Sequence, residues 1–500
     1  MKYIRSLYTL LFGVAVVLFF GLAYPHHLHY QEQFQLFLFD STYVWDIIRF
    51  PGGIADLLGR FCTQFFLFAW VGAVIIGVLL SLVQLLMLRL TDWGRFYGLS
   101  FVPSFLLWLF LLDENALLGG VWAVLLTLLV SWAFDKLPSG WMRRILLIVA
   151  IPVLYFLVGP ICVVFFLLQA PHPKHSPWYF GVFALLAIML VILSYYIPVP
   201  ADKLWTGIHY HRYPTVVPKL LWAAALSVFV LSFIVRVCHK WADVSRSSFL
   251  VPLCSFMVVT IVMGSLVWRN ANIKAEKVMQ YDFMACHQQW NRILQTINAE
   301  KPNNQIGVTV QNLALAMRGM LIDRMFDFRQ NGIAGLLPDV STDATSPLPT
   351  AEAYYQLGMI TMAQRTVFEA QEAILDFQKS GRCYKRLAQT NLINGSYEVA
   401  RKYLMALQKT LFYRSWANET ILLLGNEEAI AQHPEYGRLR PLAFNRDFYF
   451  GDCVTSDMLQ SLYLSNKDNL LAYQYLMAYY LLTGDRDNYT KFLRQTSSKQ

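Results

Sequence analysis

The distribution of charge along the chain constrains its fold more than any other feature. Residues 1–269 hold about 27 of the 73 charged residues but 12 of the 14 tryptophans. Apolar runs long enough to cross a bilayer recur through this part and stop near Arg269. The sequence therefore predicts an all-α protein, with a transmembrane helix bundle over 1–269 and a soluble helical domain over 270–500.

A helix that spans a membrane needs about 20 predominantly apolar residues. Eight candidate spans are predicted, at 7–24, 64–88, 97–112, 116–134, 145–169, 178–198, 220–238 and 249–268. The first follows Lys2 and Arg5 without a small-residue cleavage site, so we interpret it as a retained helix. The fifth contains Pro152, Gly159 and Pro160, and we expect it to be bent.

The basic residues of the loops predict an orientation, because Lys and Arg are retained on the cytoplasmic side. With a cytoplasmic amino terminus, an even number of spans leaves the C-terminal domain in the cytoplasm. The sequence thus predicts a multi-pass protein of the bacterial inner membrane with both termini inside. A ninth crossing would move the C-terminal domain outside, and the fifth span is where the count is open.

The first external loop, residues 25–63, shows helical periodicity on both sides of Pro51-Gly52-Gly53. Apolar residues recur at helical spacing before this turn (Val44, Ile47, Ile48 and Phe50) and after it (Ile54, Leu57, Leu58, Phe61 and Phe65). The pattern predicts two short amphipathic helices at the membrane interface, joined by a Pro-Gly-Gly turn.

The C-terminal domain contains an internal repeat. Residues 384–404, YKRLAQTNLINGSYEVARKYL, align with 473–493, YQYLMAYYLLTGDRDNYTKFL. Each copy predicts a helix, a turn at Gly395 or Gly484, and a second helix. The copies resemble tetratricopeptide-type hairpins, although their spacing is not a multiple of 34 residues. Such a domain predicts a protein partner.

The predicted external face collects ionisable residues, which at a membrane boundary can mark a functional site. Its histidines are His26, His27, His29, His172, His175 and His239, and its carboxylates include Glu32, Asp40, Asp46, Asp56, Asp113, Glu114 and Asp243. Solvated loop ends explain the same pattern. The candidates for catalysis are Glu32 and Asp40. Either could act as a general base towards an acceptor, or hold a divalent cation against the phosphate of a lipid-linked sugar.

Two resemblances add to this interpretation. Residues 1–200 resemble the family C integral-membrane glycosyltransferases in layout, with a carboxylate-bearing first external loop followed by juxtamembrane helices. The paired acidic signature common in that superfamily is absent from the loop. The whole chain also resembles an uncharacterised bacterial membrane-protein family with a tetratricopeptide-like tail. The segments that carry this resemblance are EQFQLFLFD (32–40), RFPGGIADLLGRFCTQFF (49–66), FLLWLFLLDENALLG (105–119) and NGSYEVARKYLMALQKTLFYRSWA (394–417).

Several other functions are disfavoured. The net charge of +9 lies mostly in the membrane half, and the C-terminal domain has no basic stripe for nucleic acid. The seven cysteines are scattered without zinc-site spacing, and no phosphate-binding loop motif occurs. Few polar residues interrupt the spans, which disfavours a secondary transporter. His209 and His211 fall on a predicted cytoplasmic loop and are interpreted as surface residues.

Two hypotheses about function remain, and the sequence defines no cofactor or metal. The first is a glycosyltransferase-like enzyme that uses a lipid-linked sugar at the outer interface, with a protein-binding tail. The second is a non-catalytic membrane scaffold that acts through the tail. A C-terminal domain on the same side as Glu32 favours the enzyme, and a cytoplasmic one favours the scaffold.

Overall fold

The computed structural model describes residues 2–138, 140–170, 176–238, 250–338, 347–375, 378–444 and 455–497. Within these ranges the chain is helical and forms no β-strand. It divides into two compact units, Met1–Ile273 and Lys274–Gln500. The predicted all-α class is therefore confirmed for the described part of the chain.

The described part of the first unit combines long apolar helices with shorter ones. They are α1 Lys2–Leu18, α2 Pro25–Glu32, α3 Ser41–Ile48, α4 Gly53–Thr63, α5 Ala69–Leu90, α6 Val102–Phe110, α7 Leu118–Asp135, α8 Trp141–Val158, α9 Val163–Gln169, α10 Ser176–Tyr196, α11 Ala201–Thr206, α12 Lys219–Val237 and α13 Leu250–Asn270. A π-helical turn, Phe19–Ala23, extends α1, and a 3-10 helix, Gly94–Phe101, precedes α6.

Six described stretches are long and apolar enough to cross a membrane. They are Arg5–Ala23, Ala69–Leu90, Leu118–Asp135, Trp141–Gln169, Lys219–Val237 and Val251–Asn270. Phe96–Phe110 and Gly181–Tyr196 are shorter apolar helices. These helices indicate a membrane protein, as predicted, while length and composition alone do not establish the predicted count of eight.

Contacts between helix termini define two ends of the bundle. At the end that holds Arg5, called here the first end, the Tyr97 hydroxyl donates to the Arg5 carbonyl at 2.8 Å. At the opposite end, called the second end, the Tyr210 hydroxyl donates to the Val158 carbonyl at 2.5 Å. Gly52 N donates to the Tyr155 carbonyl there, at 3.1 Å. The loop after α1 and the end of α8 therefore lie together at the second end.

The predicted fifth span is not one bent helix, because the chain reverses at Gly159 and Pro160. Gly159 has a φ of +69°, a backbone conformation that favours glycine. The side chain of Gln169 accepts a hydrogen bond from Arg143 at 2.8 Å. A continuous helix would separate these two residues by roughly 39 Å. Thus α8 runs to the second end, and α9 returns towards the first.

The last helix of the first unit, α13, begins at the first end. Gly98 N donates to Ser255 Oγ at 3.0 Å, and the ring of Phe256 stacks on Tyr8 at 4.6 Å between centroids. Val267, three turns further along, belongs to the same apolar core. The helix therefore runs along the bundle, and its C-terminus at Asn270 lies towards the second end.

Two short helices flank the Pro51-Gly52-Gly53 turn, as the sequence predicts. In α4, however, the polar face is buried and the apolar face points away from the bundle. Asp56 and Arg60, on the polar face, are only 2% and 6% exposed. A Cβ atom on Gly59 would lie 2.4 Å from the backbone nitrogen of Gly119 in α7, so the two helices cross at glycines. The predicted apolar stripe points outward, with Phe61 exposed.

The second unit is a series of helices, several of which are joined by short glycine turns. Its described helices are α14 Ile273–Cys286, α15 Trp290–Glu300, α16 Gln305–Met317, α17 Leu321–Arg324, α18 Pro347–Leu357, α19 Ile360–Glu372, α20 Gly381–Ile393, α21 Tyr397–Gln408, α22 Arg414–Ile421, α23 Glu427–Gln432, α24 Tyr436–Leu439, α25 Thr455–Ser465, α26 Leu470–Thr483 and α27 Arg486–Ser497. The turns at Gly395 and Gly484 have φ values of +77° and +71°, so both aligned repeat copies are helix–glycine–helix hairpins.

Buried ion pairs tie α14, α18 and α20 together. Arg382 donates to both carboxylate oxygens of Asp282, at 2.5 and 2.9 Å. Arg386 contacts Glu352, a carboxylate only 2% exposed, and stacks over the Tyr355 ring at 3.7 Å. Burial opposes the charge of Arg386, but Glu352 and Tyr355 outweigh it and raise the pKa of the guanidinium. These paired charges fix the packing of the helices in this unit.

Candidate functional site

Segments distant in the sequence bring polar side chains together at the second end of the bundle. Residues 25–63, the turn after α6 and the segment 200–217 all meet there. Leu117 N donates to the Tyr210 carbonyl at 3.1 Å, and Arg212 N donates to the Asn115 carbonyl at 2.8 Å. These bonds attach the turn between α6 and α7 to the segment that precedes α12.

The placement of His209 and His211 corrects the predicted topology. The sequence puts them on a cytoplasmic loop, opposite Asp113. In the structure His211 Nε2 lies 3.1 Å from Asp113 Oδ2. Burial alone would raise the pKa of Asp113, but hydrogen bonds from His211 and Asn115 hold it below its usual value. The error follows from the reversal at Gly159, which puts the segment 200–217 at the opposite end from the one predicted.

A second acid–histidine pair is formed by Asp56 of α4 and His209. Arg60 contacts Asp56 through Nε and Nη2 at 2.9 and 2.8 Å, and His209 Nδ1 lies 3.8 Å from the same carboxylate. Burial opposes the charge of Arg60, but Asp56 and then Tyr43 outweigh it and raise the pKa of Arg60. The buried polar face of α4 thus carries an ion pair within the helix and contacts the segment before α12 through His209.

A cleft of about 260 Å³, including the solvent at its mouth, opens beside Arg212. Its lining residues come from α2 and the following turn, from the end of α4, and from the segment between α6 and α7. They are Gln31, Phe34, Gln35, Thr63, Glu114, Asn115, Ala116, Leu117, Leu118 and Arg212. Arg212 is 5% exposed and lies 3.5 Å over the Phe34 ring. The cleft therefore combines a buried cation with a carboxylate, Glu114.

The two predicted catalytic carboxylates are not part of this lining. Glu32 ends α2 and is 5% exposed. Asp40 is half-buried and caps α3, accepting a hydrogen bond from Thr42 N at 3.4 Å. An N-cap aspartate stabilises its helix by about 1 kcal/mol, so Asp40 has a structural role whatever else it does. Among the described residues, no three His, Cys, Asp or Glu side chains are arranged to hold a metal.

The predicted histidine cluster is only partly within the described residues. His27 is 1% exposed, and burial lowers its pKa to about 4, more than the Leu111 carbonyl and Asp113 raise it. The rings of His26 and His29 lie 5.9 Å apart. His172, His175, His239 and Asp243 fall outside the described residues.

Arg212 is the residue that sequence reasoning missed. In the sequence IHYHRYP its charge is interpreted as topological, because an arginine between two spans is usually cytoplasmic. Its neighbours His209 and His211 share that interpretation. The alternation of polar and aromatic residues in this segment is the signal that could have indicated a partly buried connection rather than an open loop.

No curated protein and no solved structure matches the chain. A family model described as "Family of unknown function (DUF6057)" matches residues 1–500. The match covers both the apolar helices and the second unit, which agrees with the predicted resemblance to an uncharacterised family. The chain therefore belongs to the family of unknown function DUF6057.

Proposed function

We propose that this protein crosses the membrane an odd number of times and works from the side that holds its second end. The reversal at Gly159 adds one pass to the eight predicted spans, so that the amino terminus and Asn270 lie on opposite sides. The observation that carries this proposal is the hydrogen bond between Arg143 and Gln169, 26 positions apart in one apolar stretch. The second unit follows directly from Asn270.

The basic residues support an assignment of the two sides. Among the described residues, those at the first end are Lys2, Arg5, Arg89, Arg95, Lys136, Arg143, Arg144 and Arg236, and those at the second end are Arg49, Arg60, Lys203, Arg212, Lys219 and Arg269. Three of the latter, Arg60, Lys203 and Arg212, are buried. The excess at the first end supports a cytoplasmic amino terminus. The second unit is then extracytoplasmic, opposite to the side predicted from eight spans.

The helices of the second unit, rather than its side, support a membrane scaffold whose second unit binds a protein partner outside the cytoplasm. Support comes from the tetratricopeptide-like succession α18, α19, α20 and α21, in which left-handed turns at Gly358 and Gly395 join antiparallel helices. The unit also exposes apolar side chains, among them Phe368, Met405 and Leu422, which are 48%, 53% and 75% exposed. Grouped in one contiguous patch, such side chains would form a protein-binding surface.

The glycosyltransferase-like enzyme is a second candidate, favoured by the position of Glu32 and Asp40 at the second end, towards which α13 runs. On the proposed odd count, these carboxylates face the side on which an acceptor and a lipid-linked sugar would meet. Glu32 would then serve as base or cation ligand, after a movement that opens its buried position. Asp40 would have to combine this role with capping α3.

The topology is tested with a reporter that is active only outside the cytoplasm, fused after Gln500. Matched fusions after Pro138, at the first end, and after Val199, at the second, calibrate the signal. We expect activity at Val199 and Gln500 and none at Pro138. Activity at neither Val199 nor Gln500 would refute the odd count.

The two functional candidates are separated by further measurements on the full chain in membranes. A photo-crosslinking residue at Met405 or Leu422 should give one discrete protein adduct if the unit is a scaffold, and the same residue at the lipid-facing Val258, which is 60% exposed, should not. For the enzyme, transfer of labelled sugar from a polyprenyl-phosphate donor should be lost in Glu32→Gln and in Asp40→Asn. Asparagine still caps a helix, so Asp40→Asn isolates the chemical role.

A further inference from the structure

Arg212 is a buried cation without a counter-ion. It is 5% exposed, and no described carboxylate forms an ion pair with it. The protein contacts of its guanidinium are neutral. Nη1 donates to the Tyr30 hydroxyl at 3.0 Å and to Asn115 Oδ1 at 3.5 Å, and the Phe34 ring lies 3.5 Å away.

The other buried arginine of the first unit shows the usual arrangement. Arg60 forms two close contacts with Asp56. A buried charge that lacks such a partner is strongly unfavourable unless an ion from outside compensates it. At Arg212, Nε and Nη2 donate to no described protein atom, and the side chain lines the cleft. Two donors in a planar fork are thus available to an anion there.

The same cleft holds an unpaired negative charge. Glu114 lines it, is half-buried and forms no ion pair with a described residue. It does not neutralise Arg212, since the two charges are too far apart for a salt bridge. A ligand that satisfies both side chains must carry an anionic group and a cationic group within one small head.

The position of the cleft indicates where such a ligand comes from. Leu118, in the lining, is the first residue of the membrane-spanning helix α7, and Thr63 closes α4 shortly before the span Ala69–Leu90. Phe34 and Leu117 make part of the wall apolar. The cleft therefore lies where the apolar part of the bundle begins, at the level that phospholipid head groups occupy.

We propose that this cleft binds the zwitterionic head group of a phospholipid with a primary amine. The phosphate oxygens accept hydrogen bonds from Nε and Nη2 of Arg212, and the ammonium group pairs with Glu114. The head group would lie at the open mouth of the cleft, with the acyl chains outside, along the bundle. Free phosphoethanolamine carries the same charges, so the test must separate the lipid from the soluble head group.

The test measures lipid retention by the full chain, purified in detergent, with native mass spectrometry. The probes are phosphatidylethanolamine, phosphatidylglycerol, which has the phosphate but no amine, and free phosphoethanolamine. We expect the wild-type protein to retain phosphatidylethanolamine over phosphatidylglycerol. Losing a charge-assisted contact corresponds to about a tenfold weakening, so Arg212→Gln should lose retention to about that extent.

Matched variants keep the result interpretable. Glu114 has no described protein partner, so Glu114→Gln should fold normally and abolish the preference between the two lipids. Arg212→Lys keeps the charge but not the fork and should weaken retention partially. Arg49→Gln removes a cation that is 53% exposed at the same end and should behave as wild type. Equal retention of both lipids by the wild-type protein, or wild-type retention in Arg212→Gln, overturns the proposal. Binding of free phosphoethanolamine without lipid retention overturns the lipid assignment.

Discussion

The side chain of Gln169 lies between Arg143 and Asp135, accepting from the guanidinium at 2.8 Å and donating to the carboxylate at 2.9 Å. Arg143 and Asp135 are themselves 3.6 Å apart. One amide thereby holds the end of α9 against the end of α7 and the start of α8. The short helix α9 is thus held at the first end by hydrogen bonds of this polar cluster.

Replacing Gln169 by leucine should destabilise the first unit. The substitution keeps the volume but leaves Arg143 and Asp135 without the amide, at a cost of about 1–3 kcal/mol. The midpoint of thermal unfolding in detergent measures the effect. The control is Gln408→Leu, because Gln408 bonds Asn418 at an exposed site and its loss should shift the midpoint little. An unchanged midpoint for Gln169→Leu would show that the amide does not anchor α9.

Gly159→Ala should be costly at the reversal. Its φ of +69° strains any residue with a Cβ, and the new atom would lie 2.6 Å from the Tyr210 hydroxyl. We expect a loss of about 1–3 kcal/mol. Gly264→Ala serves as the control, since nothing lies within 4 Å of a Cβ there. A helix prefers alanine to glycine, so the control should be neutral or stabilised. Equal unfolding midpoints in the two variants would contradict the strained reversal.

Acidification should destabilise the first unit between pH 6.5 and 4 through His27. Burial lowers the pKa of His27 to about 4 from its ordinary 6.5. Above pH 6.5 the imidazole is neutral in both the folded and unfolded states. As the pH falls from 6.5 towards 4, only the unfolded state binds the proton, so about 3 kcal/mol of stability is lost.

The measurement is the unfolding midpoint at pH 7, 5.5 and 4.5. His27→Gln should flatten this dependence, whereas His287→Gln, at an exposed position, should preserve the wild-type slope. The effect of Asp113 on stability is distinguished from that of His27 by its pH range. Because the pKa of Asp113 is lowered, its effect is confined to pH values below its ordinary pKa of 3.8. A His27→Gln protein with the wild-type slope would remove His27 as the cause.

Breaking the buried ion pair between Arg60 and Asp56 of α4 should be among the most damaging single changes. Arg60→Met leaves Asp56 charged, 2% exposed and without its partner, which costs about 3–5 kcal/mol. The control is Arg49→Met, whose partner Asp46 is 61% exposed and whose loss should cost less than about 1 kcal/mol. Unfolding midpoints and the yield of monodisperse protein report both. Similar values for the two variants would show that the buried pair does not hold α4 in place.

The sequence predicts the helices and the turn at Pro51-Gly52-Gly53 because apolar periodicity and turn-forming residues are local. It does not predict which face of α4 is buried. A stripe of apolar residues identifies a face, but its direction depends on whether the surroundings are water or lipid. In α4 the polar face, which carries Asp56 and Arg60, is turned inward, and Phe61 points outward.

The end of the bundle that holds residues 209–212 was mispredicted for a related reason. Gly159 and Pro160 occur inside a continuous apolar run, where proline and glycine commonly produce only a kink. The reversal depends on distant contacts, from Tyr210 to Val158 and from Gln169 to Asp135. His209, His211 and Arg212 were therefore assigned to the wrong side, and their partners Asp56, Asp113 and Tyr30 could not be paired with them from the sequence.

The reversal also bears on how the chain enters the membrane during synthesis. The returning helix α9, Val163–Gln169, has seven residues and is too short to insert on its own. On the proposed odd count, residues 145–169 must enter the membrane as a hairpin of α8 and α9 rather than as one crossing segment. The contact that closes this hairpin, from Tyr210 to Val158, becomes available only after about 40 more residues have been made. On this topology, α8 and α9 are fixed in place only after residue 210 has been synthesised. Errors of translocation would therefore arise while residues 159–210 are being made.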